Sequence, residues 1–333
     1  MIAYNESALP EQLPELCIVA HGLGQDSATM TEKMIRDPLF RARYGGKHII
    51  FVTADTGDEH PDTDRYRIGV VEPRLRDAGF QYEFLSGDRG FHTLGWSQGL
   101  HGQWERNNTI GAASFPPSCS HSLKIAPQYM WLEAYIEEHY GYARGDKRGL
   151  KDFVKRYGKV RVLIGFTRGE EKRAAGAEDD LQTAFVFKDL KEKKKQKTTP
   201  VWMKECIERR YPLMEIGYYR ADCQRYLAEV DAFTPFPSQC CSCPYKSKID
   251  ILWTARRLPE RWKKWVAAER RKLDHWEGRR DKNGVPIANH GVKGLGSTLA
   301  LVLVEAERQY GHMSDAELDA YRFTHGHFIP SCH

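Results

Sequence analysis

Leu16-Cys17-Ile18-Val19-Ala20-His21-Gly22-Leu23-Gly24-Gln25-Asp26-Ser27 decides how this chain folds. The first five residues are an unbroken apolar run, the pattern of a strand buried on both faces. A turn holding Gly22 and Gly24 follows, and Ala28-Thr29-Met30-Thr31-Glu32-Lys33-Met34 then opens a helix. Strand, glycine-rich turn and helix N-terminus together make an anion cradle. The glycines let backbone N–H groups close around a phosphate, and the helix dipole favours its charge. No Gly-Lys-Ser/Thr follows, so this is not a Walker A loop. A Gly-x-Gly before a helix is also an ordinary tight turn, so the assignment depends on what lies downstream.

Apolar runs alternate with helical periodicity on either side of this stretch. The spacing predicts strand 16–21, helix 26–36, strand 48–54, helix 62–78 and strand 80–85, with a later strand over Arg161-Val162-Leu163-Ile164-Gly165-Phe166. That rhythm implies βαβ units and an α/β fold built on a doubly wound parallel sheet. Ligands on such sheets bind outside the carboxyl ends of the strands. The glycine loop, Asp55-Thr56-Gly57 and Gly165-Phe166 all fall at such ends. Residues 88–118, rich in Gly, Trp, Asn and Pro, read as a loop covering the site. Pro127 to Glu138 is helical. Leu258, Trp262, Trp265 or Val266, Leu273 and Trp276 follow helical steps, with the tryptophans expected to pack rather than stack on bases. Asn283 to Gly296 reads as a hinge before a helix over 297–310 and a short tail.

The composition is that of a folded soluble chain. Hydrophobic residues make up 41 %, enough for a sizeable core, and no run approaches the ~20 apolar residues of a membrane span. Met1 to Glu6 lacks the basic-then-apolar pattern of a secretion signal. Eight cysteines in such a chain argue for thiol or metal chemistry and against a disulfide framework. A cytoplasmic location is therefore expected. The net charge is +5, yet Ile251–Lys282 alone carries eleven Lys/Arg against five Asp/Glu. A second basic run spans 191–197. Basic segments 191–197 and 256–282 fit a polyanionic partner such as nucleic acid, and fit equally a solvated helix face and a polar connection.

Further blocks follow in a definite order: Asp55-Thr56-Gly57-Asp58-Glu59-His60-Pro61-Asp62-Thr63, then Pro116-Pro117-Ser118-Cys119-Ser120-His121-Ser122-Leu123-Lys124, then Thr167-Arg168-Gly169-Glu170-Glu171-Lys172-Arg173. Tyr211-Pro212-Leu213, Arg220-Ala221-Asp222-Cys223 and Cys240-Cys241-Ser242-Cys243-Pro244 complete the series. Over about residues 13 to 255 this order resembles the phosphoadenosine-phosphosulfate (PAPS) reductase family. That family belongs to the adenine-nucleotide α-hydrolase, or PP-loop ATP pyrophosphatase, superfamily. The likeness is greatest to its phage-type and DNA-sulfur-modification members. It implies a leader at 1–13, a PP-loop nucleotide-binding domain at 14–235, a cysteine motif with a basic helical region at 236–282, and a C-terminal helix and tail at 283–333.

The resemblance also implies roles. Gly22, Gly24, Gln25, Asp26, Ser27, Asp55, Thr56, Gly57, Gly165, Arg168 and Glu170 would contact an adenine nucleotide, ATP or PAPS, carried with Mg²⁺. Asp26, Lys124 and Arg173 would be the catalytic residues, the cations neutralising charge as a phosphate bond breaks. The usual loop is Ser-Gly-Gly-x-Asp-Ser; here Gly22 and Leu23 replace its Ser-Gly start, and His21 is the substitute donor. Asp58, Glu59 and Asp62 offer carboxylates for Mg²⁺, although Thr56 or Asp58 before Pro61 also reads as a helix cap. Glu170 would hold Arg173.

Cys240-x-x-Cys243 has the spacing of two ligands to one metal or cluster corner. Cys119 and Cys223 match cysteine positions of the resembled family. Four such thiolates suit a [4Fe–4S] cluster, with Zn²⁺ as the alternative. Cys241 is the spare, Cys17 a small apolar residue, and Cys206 has no assigned role. Cys332-His333 resembles the reductases' catalytic tail without its Glu and Gly. The implied activity is ATP-dependent, adenylating sulfur transfer to nucleic acid, or another modification of it, with a sulfur donor protein as further partner. A sulfonucleotide reductase releasing sulfite is one alternative. A non-catalytic nucleotide sensor that binds nucleic acid is another.

Overall fold

The structure, a computed structural model, describes residues 12–87, 99–115, 119–171, 174 and 200–325. Five parallel strands form one sheet: β1 (Leu16–Ala20), β2 (His48–Ala54), β3 (Gln81–Leu85), β4 (Val160–Ile164) and β5 (Ile207–Arg210). Their order is β3-β2-β1-β4-β5, so β1 is central and the connections reverse direction between β1 and β4. In register, Leu16 faces His48 on one side and Cys17 faces Arg161 on the other.

The apolar run of β1 is explained by helices on both sheet faces. Leu16 and Ile18 point to one face with Ile50, Val52 and Val162, against the helical residues Trp131, Leu132, Ile136 and Phe153. Cys17 and Val19 point to the other with Phe51 and Leu163, against the helical residues Met30, Met34 and Leu227. Each fully buried Leu, Ile or Phe stabilises the fold by roughly 1.5–3 kcal/mol. The helices run α1 (Gln25–Arg36), α2 (Pro38–Tyr44), α3 (Pro61–Tyr66), α4 (Glu72–Asp77), α5 (Gly99–Asn107), α6 (Ala126–Tyr140), α7 (Arg148–Tyr157) and α8 (Val201–Cys206). Then come α9 (Pro212–Glu215), α10 (Arg220–Glu229), α11 (Lys248–Arg257), α12 (Pro259–Trp276), α13 (Leu299–Tyr310) and α14 (Asp315–His325). Two π-helical stretches, Arg67–Val71 and Ser120–Ile125, join α3 to α4 and lead into α6. None of the described helices is long and apolar enough to cross a membrane.

The expected strands and the helix over 26–36 are present, with ends shifted by a residue or two, while the helix expected over 62–78 is interrupted by the π-helical stretch Arg67–Val71. The C-terminal part differs more. The basic helical region is two helices, broken at Leu258 because Pro259 has no N–H to continue α11. The tail after 310 contains α14. The hinge is ordered: it carries a hairpin and a two-stranded ribbon, His290–Gly291 with Gly294–Leu295. The tryptophans pack as expected, Trp265 fully buried beside Trp262 and Trp104. Much of the basic run is engaged internally. Arg256 bonds Glu307 at 2.8 Å and Arg257 reaches Asp315 and Asp319, fastening α13 and α14 onto α11.

Candidate nucleotide and thiol site

The strand order reverses between β1 and β4, and in open α/β sheets ligands bind outside the carboxyl ends of the strands at such a reversal. The loop after β1 lies at that end. Gly24 caps α1 without a side chain, and the first intrahelical bond is Ala28 N to Gly24 O at 2.9 Å. The amides of Gln25, Asp26 and Ser27 therefore have no acceptor within the helix. Gly165, just past β4, faces them. A Cβ there would lie 3.5 Å from Ser27 N and 3.6 Å from the Asp26 carbonyl carbon. No side chain stands between Gly165 and that helix end.

The loop is braced from within. Gly22 N donates to Ser27 Oγ at 2.9 Å. Leu23 is held at φ 58°, a conformation costing a branched residue about 1–2 kcal/mol, and its side chain is buried in compensation. At Gly24 a Cβ would meet Ser238 Oγ at 3.0 Å, so the segment before the cysteine motif lies against the loop. His21 does not serve as the substitute donor. It is 2 % exposed, neither ring nitrogen has a hydrogen-bond partner, and burial pulls its pKa down to about 3, leaving it neutral.

Gln25 and Asp26 are engaged with distant segments. Gln25 Nε2 donates to the carbonyls of Pro235 (3.0 Å) and Phe323 (3.4 Å), and its Oε1 accepts from Gln224 (2.9 Å). Only its main chain is left for a ligand. Asp26 pairs with Arg220 at 3.4 Å. Neither Arg220 nor Gln224 carried a functional reading in the sequence, because no local spacing links α10 to a loop nearly 200 residues earlier.

The turn after β2 is joined to the cysteine motif. Asp55 Oδ1 accepts from Gly57 N at 2.8 Å, and Gly57 takes φ 72°. Asp58 is fully buried. Its carboxylate accepts from Ser242 N (2.7 Å) and Ser242 Oγ (3.3 Å) and lies 3.2 Å from His101 Nε2, while its carbonyl accepts from Cys241 N (2.7 Å). Asp58 is thus a clamp and not a water-bridged Mg²⁺ ligand. Glu59 bridges to Cys240, accepts from Thr56 Oγ1 at 3.0 Å and sits 3.4 Å from Lys124 Nζ. Glu59 above all pushes the Lys124 pKa upward, against the opposing effect of burial, so Lys124 is a fixed cation. The turn also caps α3, but through His60 Nδ1, which accepts from Asp62 N at 3.1 Å. After β4, Glu170 Oε2 accepts from Thr167 N at 2.9 Å and from Thr167 Oγ1, bracing the turn that carries Arg168. Arg168 is exposed and donates its main-chain N–H to Tyr218 O. Lys172, Arg173, segment 191–197 and Cys332 lie outside the described residues.

The four-cysteine set expected from the sequence is not assembled. Cys223, on α10, is buried against α1: Thr29 Oγ1 donates to its carbonyl at 3.3 Å, and burial and then Asp26 raise its thiol pKa. Cys119 and Cys240 instead lie within electrostatic reach of Lys124, and Cys243 within reach of both. Burial raises the Cys119 and Cys240 thiols, Glu59 adding to the effect at Cys240. Among the described residues, no three His, Cys, Asp or Glu side chains are gathered as a metal site. As placed, they fit neither a four-thiolate cluster nor zinc. Cys223 is expected as a ligand from the resemblance alone; in the structure its helix packs on α1.

No protein-family model matches the chain, and no curated protein matches it. Among solved structures it is similar to the U34-tRNA thiolase NcsA from Methanococcus maripaludis, determined with its [4Fe-4S] cluster. The two share 13 % identity over 93 % of this chain and 76 % of that one, with a TM-score of 0.38. A likeness so distant assigns no role to any residue here.

Proposed function

We propose that the chain binds ATP, as its Mg²⁺ complex, at the carboxyl ends of β1 and β4 and uses it to adenylate a nucleic-acid acceptor for sulfur transfer. The observation that carries this reading is the set of Gln25, Asp26 and Ser27 amides facing side-chain-free Gly165. The triphosphate tail lies against those amides and the positive end of α1. An acceptor oxygen attacks the α-phosphorus, the bond to the bridging oxygen breaks, and pyrophosphate leaves into the cradle. Lys124, held charged by Glu59, offsets the growing negative charge on the same sheet edge. Asp26, oriented by Arg220, holds the loop in shape. Displacement of AMP by a sulfur nucleophile from a donor protein completes the transfer. The thiols near Lys124 line this edge, and no step is assigned to a metal cluster.

The test is calorimetric titration of the purified chain with ATP and with PAPS, followed by pyrophosphate assays with DNA and RNA. Preference for ATP, with pyrophosphate released only when nucleic acid is present, supports the proposal. Tight PAPS binding with sulfite production overturns it in favour of the reductase. ATP binding without pyrophosphate release under any acceptor leaves only a sensor.

A further inference from the structure

Two groups stand out among the cations of the basic C-terminal region, with Arg261 and Lys264 of α12 in neither. Arg256 and Arg257 fasten α13 and α14, Lys263 pairs with Glu260, Arg270 with Asp274 and Arg271 with Glu105. The second group stands on a hairpin after α12. Ile287 N donates to Arg279 O (3.0 Å) and Asp281 N to Val285 O (2.8 Å), with Arg280 paired to Pro286 across the ribbon. Gly284, at φ 79°, turns the tip. Asp281 Oδ1 accepts from both Asn283 N (2.8 Å) and Val285 N (2.9 Å), so the one carboxylate of the ribbon is engaged by its own backbone.

Arg279, Arg280 and Lys282 are all exposed, and among the described residues none of them makes an ion pair. Arg279 lies over the Trp276 ring at 5.4 Å, and Arg280 Nη1 donates to Gly284 O at 2.7 Å, which limits where both guanidinium groups can go. The base of the hairpin is bolted down on both sides. Trp276 Nε1 donates to Asn108 O (2.8 Å), and Lys272 Nζ to Asn289 Oδ1 (2.7 Å) and His290 O (2.6 Å). The result is an exposed hairpin, closed by one bridge and two backbone bonds and tied down at its base, that carries three cations outside any ion pair among the described residues. Val285 is its one large exposed apolar residue, too little for the apolar centre of a protein interface. A two-stranded ribbon matches the dimensions of a nucleic-acid groove, and fixed cations on it match phosphates.

We propose that the Arg279–Ile287 hairpin is the chain's contact with the phosphate backbone of a nucleic acid, entered as a duplex. The inference rests on the nucleic-acid acceptor proposed above and adds where that acceptor is gripped. Its test compares the intact chain with the triple variant Arg279→Gln, Arg280→Gln, Lys282→Gln. Affinities for one sequence, as duplex DNA, duplex RNA and single strand, are measured by fluorescence anisotropy between 50 and 200 mM salt. Loss of three phosphate contacts lowers the slope of log affinity against log salt by about 2.7 on a duplex. Over that salt range the variant then loses about 40-fold less affinity than the intact chain. A control, Lys263→Gln with Arg270→Gln, removes cations already paired on α12 and shifts the slope by less than about 1.

An intact chain that binds duplex with a slope the triple variant leaves unchanged overturns the hairpin while the acceptor reading stands. So does a control that matches the triple variant, and so does tighter binding to single strand. An intact chain that binds no nucleic acid overturns the acceptor reading itself. ATP affinity and melting temperature of the triple variant are expected to match the intact chain, since the ribbon is exposed.

Discussion

Replacing Asp58 by Ala removes the acceptor that joins the turn after β2 to the cysteine motif. Three bonds to a fully buried carboxylate are lost: Ser242 N at 2.7 Å, Ser242 Oγ at 3.3 Å and His101 Nε2 at 3.2 Å. Hydrogen bonds to a charged group are worth roughly 1.5–3 kcal/mol each, and a buried N–H left unpaired costs about 1–3 kcal/mol. Removing the carboxylate also removes its own desolvation cost, so the net loss is about 2–4 kcal/mol rather than the full sum. The damage is local, because Cys241 N bonds to the Asp58 carbonyl and Cys240 bridges to Glu59. A loss of that size opens the motif about 30- to 1,000-fold more often. Iodoacetamide labelling of the Cys240–Cys243 peptide, read by mass spectrometry, is expected to accelerate by that factor, and denaturant unfolding to show the same loss. Asp58→Asn, which keeps one acceptor oxygen, is expected to fall between. If labelling of the alanine variant changes less than about threefold, under about 0.7 kcal/mol, the clamp reasoning is wrong.

Four shorter predictions follow from the same site. Leu23→Gly relieves about 1–2 kcal/mol of left-handed strain but gives up about 1.5–3 kcal/mol of burial and adds chain entropy, so it destabilises by about 1–2 kcal/mol; a gain in unfolding free energy contradicts this. His21 has its pKa pulled to about 3 from 6.5 by burial, so the unfolded chain takes up the proton first and stability falls as pH drops through the window from 6.5 to 3. Between pH 7 and 5 this amounts to about 2 kcal/mol, and His21→Phe should remove it in paired denaturation curves. Gly165→Ala meets only ordinary contacts, so the chain folds, but the methyl 3.5 Å from Ser27 N should weaken ATP binding about tenfold to a hundredfold by calorimetry. Lys124→Met should slow pyrophosphate release by about 100- to 1,000-fold; an unchanged rate removes Lys124 from the chemistry.

Where residues act on near neighbours, the sequence was readable. β1, β2 and α1 follow from apolar periodicity, because parallel strands buried on both faces leave a strong local pattern. The partners of those residues left none. His101 reaches Asp58 from α5, Arg220 and Gln224 reach the loop from α10, and Phe323 reaches it from α14. These are isolated polar contacts across long separations, with no periodic signature. β5 leaves no apolar pattern because Ile207-Glu208-Arg209-Arg210 is an edge strand, short and charged, its Arg161–Glu208 pair satisfying what an inner strand would fill with apolar groups. The C-terminal charge run was ambiguous for a related reason. Charge counts do not distinguish Arg256 and Arg257, which hold helices together, from the hairpin cations that face solvent.

The side chain of Gln25 ties the first loop of the sheet to carbonyls 210 and 298 residues further along. Contacts of such separation are made late in folding, after shorter closures have been completed. During synthesis, the loop would therefore emerge from the ribosome long before the segments that finish it. Fragments stopping short of α14 would carry the glycines without their anchor. A premature stop or proteolytic nick in α14 would then reach back to the opposite end of the polypeptide, taking from the first loop one of the carbonyls its glutamine holds.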